Sequence, residues 1–271
     1  NNFKKIGMTA LAASLVSTSV FAGEVTVSGG ASMTVDGYSS AGSINAGKGF
    51  SMGNQLTFTG GGELDNGLTV GISFVLDQGD DGTTTGTAHN GTSPFDNHSV
   101  SISSDALGTL VMHGEGGSNA QAALDATAAG DIWDDFDGAT TGVAVETSAS
   151  NADLLVYTLP SMVDGLSISA SYSPQQAVAA SSTAYGLTYT GVEGLSVSYG
   201  QGDENLGSST IDTDTTTMKA SYAYGSFTLA YSNNDHETGV ANRDQETTSY
   251  KVSYTVSDAI SVSYGTEEIK R

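Results

Sequence analysis

Strict alternation of apolar and polar residues, run after run and broken only by short turns, is the feature that most restricts this chain. Leu56 to Leu76 shows it most fully. Before Asp65-Asn66-Gly67, Leu56, Phe58, Gly60, Gly62 and Leu64 share one side, with Thr57, Thr59, Gly61 and Glu63 on the other. After it, Leu68, Val70, Ile72, Phe74 and Leu76 oppose Thr69, Gly71, Ser73 and Asp77. Successive side chains of a strand point to opposite faces, so this is a ribbon with one apolar and one polar face. The Asn-Gly step marks the hairpin turn, because positive φ costs little there.

The unit returns along the chain. Val25, Val27, Gly29, Ala31, Met33 and Val35 form an earlier run, and Val100 with Ile102 and Leu110 with Met112 flank a turn at Ser104 to Gly108. Four later hairpins follow one plan. Leu155 to Leu159 leads into Leu166 to Tyr172, and Tyr185 to Tyr189 into Leu195 to Tyr199. Met218 to Tyr224 leads into Phe227 to Tyr231, and Tyr250 to Val256 into Ile260 to Tyr264. Thirteen strands are predicted in all. Tight turns alternate with loops of roughly ten residues or more, so one end of the sheet is smooth and the other elaborate.

Which face meets water is decided by the polar side. Ser167, Ser169, Ser171, Ser196, Ser198, Ser261 and Ser263 are small and uncharged, whereas a soluble sheet carries Lys, Glu and Arg on its outer face. Charges concentrate in the loops, and the outward aromatics are chiefly Tyr near strand ends, as in an interfacial girdle. No stretch after the N-terminus is apolar enough for a membrane-spanning helix, so any span is β. The expectation is an all-β, transmembrane, antiparallel up-and-down barrel. The competing architectures are a soluble sandwich and a solenoid, and the uneven loop lengths argue against the second.

Asn1 to Ala22 reads as a cleaved leader: Lys4 and Lys5, an apolar stretch from Ile6 to Val16, then Val20-Phe21-Ala22. Serines and threonines interrupt the stretch well short of the ~20 residues of a membrane helix. The mature chain then begins near Gly23. A formal charge of −22 argues against nucleic acid, since phosphate would be repelled. With no Cys, disulfides and thiolate metal sites are excluded.

Asn54 to Gly60 with Glu63-Leu64-Asp65-Asn66-Gly67-Leu68 resembles the second and third strands of Gram-negative general diffusion porins. His98 to Ser103, with Ala106-Leu107-Gly108-Thr109 as the turn and Leu110 to Met112, resembles the next pair. The likeness spans Gly23 to Gly265. It implies a sixteen-stranded barrel in the outer membrane of a Gram-negative bacterium, assembled as a homotrimer. The channel would pass small hydrophilic solutes and ions passively, without a cofactor. Against that pattern thirteen strands is an odd number, and the chain reads as a fragment lacking about three.

The segment 114–151 falls where these porins carry the loop that folds inward and narrows the pore. Its candidate constriction residues are Asp131, Asp134, Asp135 and Asp137, which would favour cations, with Trp133 and Phe136 as anchors on the wall. The family sets Arg and Lys opposite that loop. Here only Lys48 is basic between Gly23 and Gly200, and His113-Gly114-Glu115 stands where Arg is common, so a weak or absent transverse field is expected.

Asp77, Asp80 and Asp81 form an acidic loop that could hold Ca²⁺, but without EF-hand spacing; a solvated loop is the simpler reading, extended also to Asp203-Glu204 and Asp212-Asp214. The function rivalling a channel is a secreted or surface β-protein, adhesive or structural, with such loops binding ions. No nucleophile elbow, zinc-protease or phosphate-loop motif is present, and the four His are scattered.

Overall fold

The computed structural model describes residues 25–38, 47–77, 97–130, 148, 153–174, 181–205, 212–238 and 243–271. The strands are β1 (Thr26–Tyr38), β2 (Gly47–Glu63), β3 (Thr69–Asp77), β4 (Asn97–Ser104), β5 (Gly108–Glu115), β6 (Leu154–Thr158) and β7 (Leu166–Ser173). They continue as β8 (Ser181–Tyr189), β9 (Leu195–Asn205), β10 (Asp212–Tyr224), β11 (Phe227–Glu237), β12 (Gln245–Ser257) and β13 (Ile260–Lys270). Strand order follows chain order in one antiparallel, up-and-down sheet of thirteen strands. The expected all-β class and strand count hold.

By contacts the chain forms two compact units, residues 1–102 and 103–271. In the first, β1 and β2 pair from Thr26 opposite Thr59 to Tyr38 opposite Gly47. The β2–β3 hairpin pairs Leu56 with Leu76 and Phe58 with Phe74, whose rings stack 4.8 Å apart. Its turn closes through Gly67 N–H to Leu64 O (2.8 Å), with Asn66 Oδ1 accepting from Leu68 N–H at 3.1 Å. Gly67 alone has positive φ (79°), the mark of a three-residue loop ending in a left-handed glycine. Gly60-Gly61-Gly62 lies inside β2 as expected, and a Cβ on Gly61 would stand 2.8 Å from Val70 O.

In the second unit the ladder runs from β5 to β13, and its burial is the reverse of a soluble protein's. Thr215, Thr217 and Ser249 are buried completely, while Leu229 is 55% exposed, Val262 61% and Tyr264 76%. Tyr222 opposes Leu229, Leu229 opposes Val252, and Val252 opposes Tyr264, giving an unbroken apolar row across four strands. Tyr172, Tyr185, Tyr199, Tyr231, Tyr250 and Tyr264 border that band on the long-loop side. Tyr157, Tyr189, Tyr222, Tyr224, Phe227 and Tyr254 border it toward the short turns. Ring pairs reinforce each border, Tyr231 with Tyr250 at 5.2 Å and Phe227 with Tyr254 at 4.7 Å. A bare apolar band of this extent is unstable in water and fits hydrocarbon edged by an interface. No helix among the described residues is long and apolar enough to cross a membrane.

One expectation is corrected. Asp203-Glu204 and Asp212-Asp214 are strand residues of β9 and β10, with Asp203 opposite Asp214, rather than loop residues. The backbone ladder continues past the apolar band and carries these acids with it. Further along the same outward edge, Glu246 pairs with Lys270 at 3.6 Å.

Candidate functional site

The polar face of the second unit is covered by the chain itself. After β5 the segment Gly116 to Gly130 crosses the Ser/Thr side of the sheet and includes one 3₁₀ turn, Ala122–Leu124. Three of its backbone N–H groups donate to strand hydroxyls: Ala120 to Ser171 Oγ on β7 (2.9 Å), Ala128 to Ser232 Oγ on β11 (2.8 Å) and Ala129 to Ser249 Oγ on β12 (2.8 Å). An irregular segment crossing a sheet has backbone donors to satisfy, and small hydroxyls on the facing strands supply the acceptors.

Glycines open room where the segment lies closest. A Cβ on Gly186 would stand 2.5 Å from Ala120 O, and one on Gly200 3.2 Å from Gln121 Cα. One on Gly202 would fall on Ser148 Oγ, and one on Gly265 would stand 3.0 Å from Ala129 Cβ. The contacts therefore step across β7, β8, β9, β10, β11, β12 and β13 in turn.

A buried clasp closes the base of the segment. Asn119 Nδ2 donates to Ser148 O (2.6 Å) and Ser148 Oγ (2.8 Å), while its Oδ1 accepts from Gln121 N–H (3.0 Å) and Ala122 N–H (2.7 Å). Gln121 Oε1 accepts from Ser148 N–H (3.0 Å) and Ser148 Oγ–H (2.6 Å). Its Nε2 donates to Thr217 Oγ1 on β10 at 2.8 Å, an oxygen that also accepts from Asn234 Nδ2 at 2.9 Å. Asn119, Gln121 and Ser148 are all 0% exposed. Polar groups this buried are tolerated because nearly every donor and acceptor is matched. Further out on the same face, Thr215 Oγ1 and His236 Nδ1 lie 2.8 Å apart.

Of the residues expected to form the constriction, Asp131, Trp133, Asp134, Asp135, Phe136 and Asp137 lie outside the described residues. The structure holds both flanks of that run, Ala129 against β12 and Ser148 against Gln121. Asp77 ends β3, Asp80 and Asp81 lie outside the described residues, and no cluster of three or more potential metal ligands occurs among the described residues. The basic residues are where the sequence reading fell short. Lys219 and Lys251 stand on the segment-covered face of β10 and β12, because Thr217 and Ser249 two positions away are buried beneath it.

The clasp was also missed. Asn119, Gln121 and Ser148 carry no pattern that marks them in a Ser/Asn/Gln-rich stretch. The glycines at polar-face positions were the available signal, since Gly inside a strand often marks close approach of another backbone.

The chain matches the family model described as "Gram-negative porin" over residues 7–270. No curated protein matches it. Among solved structures it is similar to a porin refined at 1.8 Å, at 20% identity with 90% of this chain and 83% of that one covered and a TM-score of 0.61. It is also similar to the anion-selective porin from Comamonas acidovorans (19%; 91% and 80%; 0.53). A third is OmpF of Salmonella typhi in complex with daunomycin (12%; 90% and 79%; 0.59). At such identities these likenesses show the fold.

Proposed function

The chain belongs to the Gram-negative porin family, and from that footing we propose that it forms a water-filled, cation-preferring channel in the outer membrane for passive diffusion of small hydrophilic solutes. The observation that carries the channel is the inverted sheet: the bare face is apolar and the covered face is serine and threonine. A barrel wall with lipid outside and water inside has this polarity, and a soluble sandwich has the opposite one.

Cation preference rests on charge. The chain is strongly acidic, and Asp131, Asp134, Asp135 and Asp137 fall between Ala129 and Ser148, both tied to the polar face. Carboxylates beside a narrow aqueous path concentrate cations and repel anions. The fold does not set the sign, since one similar structure is an anion-selective porin. A homotrimer and removal of residues 1–22 on export complete the reading; the first follows the family resemblance, the second the leader pattern.

Purified protein in a planar bilayer tests this. Stepwise conductance with a cation-selective reversal potential in a KCl gradient is expected. An anion-selective potential removes the preference, and a detergent-free soluble protein without conductance removes the channel.

A further inference from the structure

We propose that Lys219 and Lys251 form a binding station for oxyanions, phosphate being the simplest, on the short-turn side of the inward segment. This rests on the channel reading and adds to it a site of opposite charge.

The placement follows from register. Along β10, Lys219 is the next lumen-facing residue after Thr217, which accepts from Gln121 Nε2. Along β12, Lys251 is the next after Ser249, which accepts from Ala129 N–H. Both lysines are thus one tier from the segment, toward the short turns. Between them on β11 lies Ala230, opposite Lys251 and one tier from Ser232, and Gly265 flanks Lys251 on β13. These neighbours leave the ammonium groups room to swing. Two strand spacings and a two-residue offset put the Cα atoms roughly 12 Å apart, within reach of two lysine side chains closing on one anion.

The lumen-facing strand positions around them carry no competing charge. The other lumen-facing positions of that tier are Ser169, Thr188, Ser198 and Ser263, and beyond them toward the turns come Ser167, Ser196, Ser221, Thr228, Ser253 and Ser261. Glu204 and Glu267, the lumen-facing carboxylates among the described residues of β7 to β13, lie on the long-loop side of Gly202 and Gly265. Neither lysine has a carboxylate within ion-pair distance among the described residues. On the lumen-facing positions of these strands charge is therefore ordered along their length, acids and then lysines.

A solute carrying phosphate or carboxylate from the short-turn side, once past the exposed turn acids Asp164, Glu193 and Asp258, meets the two ammonium groups before the lumen-facing carboxylates Glu204 and Glu267. For a dianion near both, water-screened attraction amounts to about a tenfold change in local occupancy.

The test is single-channel conductance in KCl with inorganic phosphate added to one chamber and then the other. Phosphate from one side should depress native conductance at about tenfold lower concentration than from the other. The asymmetry should vanish in K219Q/K251Q and persist in K219R/K251R. Conducting native channels with no sided phosphate effect, or one that survives in K219Q/K251Q, overturn the station and leave the channel standing. Absence of stepwise conductance in the native protein removes both.

Discussion

Gln121→Ala is the substitution whose consequence the structure specifies best. The side chain makes three buried hydrogen bonds, to Thr217 Oγ1, from Ser148 N–H and from Ser148 Oγ–H. Two of the partners keep another: Thr217 still accepts from Asn234, and Ser148 Oγ from Asn119. Ser148 N–H does not, and an orphaned buried amide costs about 1–3 kcal/mol. With the lost Thr217 bond the pinned arrangement weakens by about 2–3 kcal/mol, which multiplies the ratio of released to pinned segment by about 30- to 150-fold.

The strand ladder is untouched, so the barrel should still fold and extract with detergent as the native protein does. In planar bilayers the open-channel current of Q121A should show more noise and more frequent brief closures. Its cation preference should fall, because the acidic run between Ala129 and Ser148 is held less firmly at one end, where only the Asn119 bonds to Ser148 remain. A folded Q121A whose current and reversal potential match the native trace would refute the claim that this clasp positions the run.

Gly202→Ala should reproduce that behaviour by a different route, since the new Cβ would fall on Ser148 Oγ and lie 2.6 Å from Ser148 Cβ; native-like traces would argue against it. Neighbours on β11 should respond oppositely to charge: Leu229→Arg should cost about 2–4 kcal/mol in urea-monitored folding into lipid vesicles, and Ala230→Arg about 0–1 kcal/mol. Neutralising Asp131, Asp134, Asp135 and Asp137 together to Asn should lower the potassium-over-chloride permeability ratio measured by reversal potential, and an unchanged ratio would move selectivity elsewhere. Gly67→Val should destabilise the β2–β3 hairpin by about 1–2 kcal/mol, because that position sits at φ 79°.

Most of the fold was legible because period-two patterning and turn glycines operate over a few residues. Leu195 to Tyr199 and Phe227 to Tyr231 alternate plainly, and each turn before them contains a positive-φ glycine, Gly194 and Gly225. Legibility stops where both faces become polar. Gln201 to Asn205 and Asp212 to Thr217 show no contrast between sides, so their strand extensions read as acidic loops. The candidate site was legible only in outline. Its position after β5 came from family resemblance, whereas the clasp joins Gln121 to Ser148 and to Thr217, which lies 96 residues further on. Neutral amides and hydroxyls that meet over such separations leave no local trace. Lys219 and Lys251 fall on the polar side of Met218 to Tyr224 and Tyr250 to Val256 by alternation, and register with Ser232 and Ala230 places them near one another on the covered face.

The chain has no cysteine, so single cysteines report cleanly on which side of the wall is wet. Thr228, Ala230, Ser253, Leu229 and Val252 can each be replaced by Cys, reconstituted in lipid vesicles and exposed to a membrane-impermeant maleimide. The account predicts prompt labelling at Thr228, Ala230 and Ser253 and protection at Leu229 and Val252. Labelling of Leu229 and Val252 as fast as their neighbours, or the reverse order, would contradict it.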